Sequence, residues 1–172
     1  MVHPRFMVAV HAESPGARSF RNQLIKPALL RSYFLGKLPL AAIAGLKITE
    51  LDGEVCEATV PYGFITKNPF RSMYFAAQAM GAELSCAGLA LMAARGARET
   101  VSVLPVGLSA SFEKKSTDLT RFRCTEGRKL FDAVNEALKT GAPVVVETKT
   151  VGTMRDGTIV SNFSFTWSFK KK

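Results

Sequence analysis

The chain has 172 residues, 47% of them hydrophobic, and 23 Lys and Arg against 14 Asp and Glu give it a net charge of +9. The length suits one domain with a large core, since a domain of about 150 residues buries roughly 70% of its unfolded surface. The hydrophobic content excludes a disordered chain. The charge favours anionic partners such as nucleic acid, a phosphate-bearing ligand or a membrane surface, although an ordinary basic surface explains it equally well.

The positive charge is concentrated in the N-terminal part of the chain. Residues 1–48 hold seven Lys and Arg against one Glu, so their net charge is 7 − 1 = +6. Residues 1–17 are predicted to form a loose arm, with a break at Ser14-Pro15-Gly16, and residues 18–172 a single domain. A helical stripe over 18–33 contains Pro27, which is expected to kink that helix. No signal peptide is predicted, because the apolar run at the N-terminus is short and interrupted.

The stretch from 72 to 94 is predicted to be a long buried helix. It lies between Arg71 and Arg95 and contains one ionisable residue, Glu83, near its midpoint. It has no proline and no strand alternation, and its apolar residues leave no polar side. With Gln78 and Glu83 at its centre it is not expected to cross a membrane, where a central charge costs at least ~2.5 kcal/mol. A lone carboxylate is expensive to bury unless it is paired, hydrogen-bonded or protonated, so Glu83 indicates a functional site.

The remaining segments favour an α+β fold with a mostly antiparallel sheet. A strand region with an Asp52-Gly53 turn is predicted over 47–60. Four further stretches alternate with period 2, at 101–114, 119–125, 144–154 and 158–169. A short helix over 129–139 is expected to end at Gly141, and Asp156-Gly157 to join the last two strands in a tight hairpin. Because one flat sheet cannot cover the long helix, the sheet must curl around it or a second subunit must close the open side.

The cysteines and histidines predict no metal site. Cys56, Cys86 and Cys124 share no short metal-type spacing, and an odd number of unpaired thiols suits the reducing cytoplasm. His3 and His11 both fall in the expected arm.

Four segments of the chain resemble the hot-dog superfamily, and within it a thioesterase-like group related to PaaI-type acyl-CoA thioesterases. They are KLPLAAIAGLKITELDGE at 37–54, NPFRSMYFAAQAMGAELS at 68–85, SASFEKKS at 109–116 and VSNFSFTWSF at 160–169. The resemblance implies a curved sheet around one central helix, and a homodimer or dimer of dimers with its active sites at the subunit interface. It also implies an acyl-CoA or acyl-carrier thioester as substrate, with coenzyme A as part of the substrate and no other cofactor.

The same resemblance implies a role for particular residues. Glu83 falls where the family has an acid that acts on the thioester as general base or nucleophile, and Asn68 falls on the polar residue of the preceding loop. Backbone N–H groups near Ser72, Met73 and Tyr74 would polarise the carbonyl. The other residues expected to bind substrate are Arg71, Gln78, Lys114 and Lys115, the two lysines through the phosphates of coenzyme A.

Each of these residues also has a structural explanation. Glu83 could be a structural carboxylate paired with an arginine such as Arg71 across a dimer interface. Asn68 precedes Pro69, which is typical of a helix N-cap. Gln78 lies about 140° from Glu83 on a helical wheel, so it is expected to bond to the sheet or to a partner helix instead of sharing a site with Glu83.

Four functions are therefore compared. An acyl-CoA thioesterase is favoured over a non-catalytic acyl- or lipid-binding protein of the same fold. Departures from the family pattern weaken the first, since Phe70-Arg71-Ser72 stands where many hot-dog thioesterases have His or Gly-Gly. A dehydratase is disfavoured because no histidine falls near the helix, and nucleic-acid binding is disfavoured because aromatic and basic residues do not interleave.

Overall fold

A six-stranded antiparallel sheet packs against one long helix in the computed structural model, which describes residues 9–172. The helices are α1 (Pro15–Ile25), α2 (Pro27–Lys37), α3 (Pro39–Ile43), α4 (Phe75–Gly96) and α5 (Gly127–Thr140). The strands are β1 (Lys47–Leu51), β2 (Cys56–Val60), β3 (Val101–Phe112), β4 (Thr120–Cys124), β5 (Val144–Met154) and β6 (Ile159–Lys171). Their order across the sheet is β1-β2-β4-β5-β6-β3, so β1 and β3 form its two edges.

The central helix α4 and the sheet surrounding it confirm the hot-dog architecture expected from the sequence. α4 packs on the inner face of the sheet, with α5 beside it against β5 and β6. Every second side chain of β6 points to that inner face. The face is apolar because the side chains there are aromatic and buried, namely Phe163, Phe165, Trp167 and Phe169. α4 is long and apolar enough to cross a membrane, but 67% of its most apolar 18-residue stretch is buried inside the protein, which identifies α4 as the core helix.

Small residues bring α4 unusually close to the sheet. A Cβ atom placed on Gly81 would collide with Val60 Cγ2 and would lie 2.7 Å from Phe122 Cδ2. A Cβ atom on Gly88, two turns further along the same face, would lie 2.8 Å from Cys56 Sγ. The two glycines therefore determine which face of α4 meets the sheet, because a larger residue at either position would push the helix away.

Buried polar contacts fix the same orientation. Ser85 Oγ donates a hydrogen bond to Thr150 Oγ1 on β5 at 2.9 Å. Ser161 Oγ on β6 donates to Gln78 Oε1 on α4 at 2.8 Å. Both pairs lie in the core, where a polar atom without a partner is costly. Rotating α4 about its axis would break both hydrogen bonds, so the two pairs stabilise its orientation.

The N-terminal segment is more ordered than the sequence predicts over its described part. Asn135 on α5 accepts a hydrogen bond from the Val10 N–H at 2.7 Å and donates one to the Val10 carbonyl at 3.0 Å. Helix α1 begins at Pro15, before the expected end of the arm, and packs against α4. Pro27 does not kink one helix but begins a second one, where its missing N–H costs nothing. Residues 1–8, with His3, lie outside the described residues.

The predicted end of α5 at Gly141 and the predicted hairpin turn at Asp156-Gly157 are confirmed. Gly141 ends α5 with φ 71°, the left-handed conformation that favours glycine. Gly157 has φ 87° in the hairpin between β5 and β6, which the Met154 N–H closes by donating to the Thr158 carbonyl at 2.9 Å.

The three cysteines lie free in the core between α4 and the sheet. Cys56 on β2 stands opposite Cys124 on β4, and Cys86 on α4 lies near Cys124. Burial raises the pKa of the Cys56 thiol well above its usual value. Within residues 9–172, no group of three His, Cys, Asp or Glu side chains is placed to hold a metal ion.

We expect Gly81→Ala to destabilise the protein. The extra methyl group has no space against Val60 and Phe122, and overpacking of this kind costs about 1–3 kcal/mol, more than the ~1 kcal/mol that alanine gains over glycine in a helix. Gly36→Ala in α2 is the matched control, because its Cβ would meet nothing within 4 Å. Denaturant unfolding should show Gly36→Ala unchanged or up to about 1 kcal/mol more stable. Equal effects of the two substitutions would contradict the close packing of α4.

Candidate functional site

A cleft of about 460 Å³ lies between the start of α4 and the segment that follows β3. It brings together six of the eight site residues predicted from the sequence, which are Asn68, Ser72, Met73, Gln78, Lys114 and Lys115. Glu83 and Arg71 are not among its lining residues. Tyr74, whose backbone N–H was expected to polarise the carbonyl, also lines the cleft. The lining residues that were not predicted as site residues are Pro69, Phe70, Phe75, Phe112, Glu113 and Ser116. One subunit therefore gathers most of the predicted binding residues but separates them from the predicted catalytic acid.

Asn68 holds the loop before α4 and does not cap the helix, so the N-cap prediction is wrong. The helix begins at Phe75, six residues later than an Asn68 cap requires. Asn68 Oδ1 instead accepts hydrogen bonds from the N–H groups of Phe70 at 2.9 Å and Ser72 at 3.2 Å. Its Nδ2 donates to Ser72 Oγ at 3.1 Å. An Asn-Pro pair is typical both of a helix N-cap and of a turn, and here it forms a turn.

The backbone N–H groups expected to polarise a substrate carbonyl already have acceptors. Ser72 donates to Asn68, Met73 donates to the Ser116 carbonyl at 2.7 Å, and Tyr74 donates to the Thr66 carbonyl at 2.7 Å. Within residues 9–172, the N–H groups of Phe75 and Ala76, the first two of α4, have no acceptor. The first turn of a helix carries partial positive charge, so these two groups are the donors that remain for an anion or a carbonyl oxygen.

Gln78 connects the cleft to the sheet. Its Oε1 accepts the hydrogen bond from Ser161 at 2.8 Å, and its Nε2 donates to the Met73 carbonyl at 3.5 Å. This agrees with the expectation that Gln78 bonds to the sheet. Both ends of the amide are engaged inside the protein, so Gln78 shapes the floor of the cleft.

Two of the three predicted cationic residues line the cleft, and the third, Arg71, lies between the lining residues Phe70 and Ser72 in the chain. Lys114 and Lys115 are exposed at its edge, and Lys115 Nζ donates to the Phe70 carbonyl at 3.5 Å. Arg71 is exposed and has φ 59°, a left-handed conformation that is uncommon for any residue other than glycine. Within residues 9–172, none of the three lies within salt-bridge distance of a carboxylate.

Glu83 lies on the face of α4 that points away from the sheet. It is two residues from Gly81, or about 200° around the helix. Its neighbours on that outer face, Ala76, Ala79 and Met80, are half-buried like Glu83 itself. Further along, Ala87 and Ala90 on the same side are buried.

The carboxyl group of Glu83 has no partner within residues 9–172, neither a cation nor a side-chain hydrogen bond. Desolvation raises its pKa above the ordinary value of 4.5. The pairing with Arg71 that the sequence offered as an alternative is not formed inside one subunit.

Strand β3 exposes an apolar surface that continues the core. Leu108 stands opposite Phe165 and Ala110 opposite Phe163, so they share the inner face of the sheet with these core residues. Leu108 is nevertheless 58% exposed and Phe112 50% exposed. Among the described residues 9–172, β3 pairs with β6 alone. It is 12 residues long, so its other side has backbone groups without a strand partner in this part of the chain, along an apolar edge. The sequence carries this signal, since 101–114 alternates like a buried strand.

Solved structures with the same architecture define the class as hot-dog fold proteins. A protein of Pseudomonas aeruginosa, PA5026, described as a probable thioesterase, superposes with a TM-score of 0.70 at 16% identity, covering 87% of this chain and 99% of its own. A second Pseudomonas aeruginosa structure, of a variant of thioesterase PA1618, gives a TM-score of 0.64 at 12% identity, covering 95% and 99%. Thioesterase HI1161 of Haemophilus influenzae gives 0.61 at 14% identity, covering 85% and 91%.

The family model of DUF4442, a domain of unknown function, matches residues 27–169, and the chain belongs to this family. A search of curated proteins finds no match. The structural likeness, at these identities, establishes the fold.

We expect Glu83→Gln to stabilise an isolated subunit near neutral pH. The folded protein holds the Glu83 proton more tightly than the unfolded chain does, so between the ordinary pKa of 4.5 and the raised folded pKa stability falls as pH rises. Glutamine removes this loss, and the free energy of unfolding of the variant should vary less with pH above 4.5. Unfolding measured at several pH values tests this. A Gln variant that is less stable than the parent at neutral pH would instead indicate that the assembly pairs Glu83 with a cation.

Proposed function

We propose that the protein is an acyl-CoA thioesterase whose active site forms at the interface of a homodimer. The observation that carries this proposal is Glu83, a desolvated carboxyl group that has no partner within residues 9–172 and lies on the face of the central helix that points away from the sheet. Several structures of the same fold are described as thioesterases, which supports the reaction class. Three free thiols suit a reducing compartment, and the proposal includes a cytoplasmic location.

Glu83 would supply the reacting base or nucleophile. As a base, its carboxylate takes a proton from water while the water oxygen attacks the thioester carbonyl carbon. As a nucleophile, it attacks that carbon itself, and water then hydrolyses the acyl-enzyme anhydride. In both cases the C–S bond breaks. In the first, the thiolate takes the proton that Glu83 removed from water; in the second, it leaves as the thiolate and takes its proton from solvent. Burial makes the Glu83 carboxylate the stronger base, because its charged form is poorly solvated.

The cleft would hold the carbonyl oxygen and the rest of the substrate. The free N–H of Phe75 lies at the start of α4 and in the cleft wall, so it can donate to the oxyanion that forms during the reaction. Asn68 and Ser72 hold the adjoining loop in place, and Met73 and Gln78 form the inner wall. Lys114, Lys115 and Arg71 would bind the phosphates of coenzyme A from the exposed side.

A homodimer would join the two parts of this site. The cleft ends at β3, the uncovered edge strand, and Glu83 lies outside the cleft of its own subunit. Pairing two copies through β3 would satisfy its free backbone groups and would cover Leu108 and Phe112. The partner helix would then face the cleft and could present its carboxyl group to it.

We expect Glu83→Gln to reduce turnover of acyl-CoA by about 10²–10⁴-fold, the range typical of a positioned acid or base. Release of free thiol from a panel of acyl-CoAs measures this, with Glu136→Gln as the control, since Glu136 is exposed on α5 and its carboxylate makes no ion pair among residues 9–172. In the parent enzyme the rate should rise with pH through the raised Glu83 pKa, and this limb should vanish in the variant. Full turnover by Glu83→Gln would exclude the assigned role.

We expect Leu108→Lys to convert the dimer to monomers, because each copy would place a charge in the apolar interface and weaken association by at least about 30-fold. Sedimentation or light scattering measures the mass. Val145→Lys is the control, since Val145 is 61% exposed but lies on an interior strand. If Leu108→Lys abolishes both dimerisation and thioesterase activity, the result supports an active site formed by two subunits. A dimer unaffected by Leu108→Lys would contradict pairing through β3.

A non-catalytic acyl-binding protein is the second candidate. It is favoured by the engaged N–H groups of Ser72, Met73 and Tyr74, which leave fewer donors for an oxyanion than expected. Mass spectrometry of small molecules released from the purified protein separates the two functions. An acyl ligand carried through purification, without turnover of any thioester, identifies the binding protein.

A further inference from the structure

Helices α2 and α3 expose large apolar side chains on the outside of the molecule. The most exposed are Leu35 at 62%, Leu40 at 62% and Ile43 at 61%, with Leu29 and Leu38 also exposed. These five residues are called the α2–α3 apolar surface below. A single residue, Leu38, separates the two helices, so the exposed side chains follow each other closely along the chain.

The outer side of α2 is uncharged over a broad arc. At 100° per residue, Ala28, Leu29, Ser32, Leu35 and Gly36 fall within about 120° of each other, and all are exposed. A Cβ atom on Gly36 would meet nothing within 4 Å, which shows how open this side is. The inner side of α2 carries the buried Leu30 and Phe34. The helix is therefore apolar toward the core and apolar toward the outside, unlike an ordinary surface helix.

Positive charge surrounds the α2–α3 apolar surface. Residues 14–49 contain no Asp or Glu, but six Lys and Arg. Arg21 is paired with Glu13 at 3.1 Å. The other five are exposed and, within residues 9–172, lie beyond salt-bridge distance of any carboxylate; they are Arg18, Lys26, Arg31, Lys37 and Lys47.

The position of the helices leaves this surface free in the proposed dimer. α1 and α2 pack against β1, which is the edge of the sheet opposite to β3. A second copy bound through β3 would therefore cover the other edge of the sheet. The apolar surface and its cations need a different partner.

We propose that the α2–α3 apolar surface docks on an anionic lipid bilayer. Leu35, Leu40 and Ile43 enter the interfacial layer, and the unpaired cations bind lipid headgroup phosphates around them. Neither signal alone holds a protein firmly to a membrane, whereas apolar insertion combined with basic residues does so. A nucleic acid fits less well, because the centre of the surface would place leucine and isoleucine side chains against phosphates. The proposal is independent of the thioesterase reaction.

Sedimentation with vesicles tests the docking. The full chain should bind vesicles of phosphatidylcholine mixed with phosphatidylglycerol, bind poorly to phosphatidylcholine alone, and dissociate as salt is raised. The triple variant Leu35→Ser, Leu40→Ser, Ile43→Ser should lower the partition coefficient at least about tenfold. Since these residues are exposed, the variant should fold and keep its mass. The double variant Arg31→Gln, Lys37→Gln should weaken binding to the mixed vesicles only.

The control is Val145→Ser, Ile159→Ser, which removes apolar residues of similar exposure from β5 and β6. It should bind like the parent protein. Equal binding of the triple variant and the parent would overturn the proposal, as would equal binding to the two kinds of vesicle. A third result would also overturn the proposal. If the parent protein does not bind vesicles and the triple variant has a lower molecular mass in solution than the parent, a second copy of the chain covers this surface.

Discussion

The close approach of α4 to the sheet is the constraint on which the rest of the structure depends. Gly81 and Gly88 leave no room for a side chain between the helix and Val60, Phe122 or Cys56. Once this face is turned inward, helical geometry turns Glu83 outward. The hydrogen bonds of Gln78 and Ser85 to the sheet prevent the helix from rotating to bury it differently. The direction in which the acid points, away from the sheet, is thus a consequence of core packing.

A second consequence is that one subunit keeps the two parts of the proposed site apart. Its cleft gathers donors and cations at the start of α4, while its carboxyl group points elsewhere on the same helix. Gln78, which lines the cleft, and Glu83 lie about 140° apart around α4, so they cannot both face one small site from the same helix. Two antiparallel copies remove this restriction, because the Glu83 side of the helix in one copy can meet the cleft of the other copy. The edge strand β3, apolar on its core side and unpaired, is consistent with such an arrangement.

The sequence predicts the elements better than it predicts the site. Alternation identifies β6, the lone-acid apolar stretch identifies α4, and Gly141 and Gly157 mark an end and a turn, because each of these patterns has one dominant structural solution. The Asn68-Pro69 pair has two, a helix cap and a turn. The hydrogen bonds from the Met73 N–H to Ser116 and from the Tyr74 N–H to Thr66 decide for the turn, because they keep the chain extended up to Phe75. The engaged N–H groups and the separation of Glu83 from the cleft likewise depend on tertiary packing, which local pattern does not encode.

The strand order also bears on how an assembly stops growing. If two copies join through β3, the combined sheet ends at both sides in β1. β1 has five residues, its register is broken between Ile48 and Glu50, and α1 and α2 pack against it. A short, irregular and partly covered edge is a poor template for further strand addition. In that arrangement one edge of the sheet would pair and the other would end it, so assembly would stop at a closed particle and would not continue into a fibre.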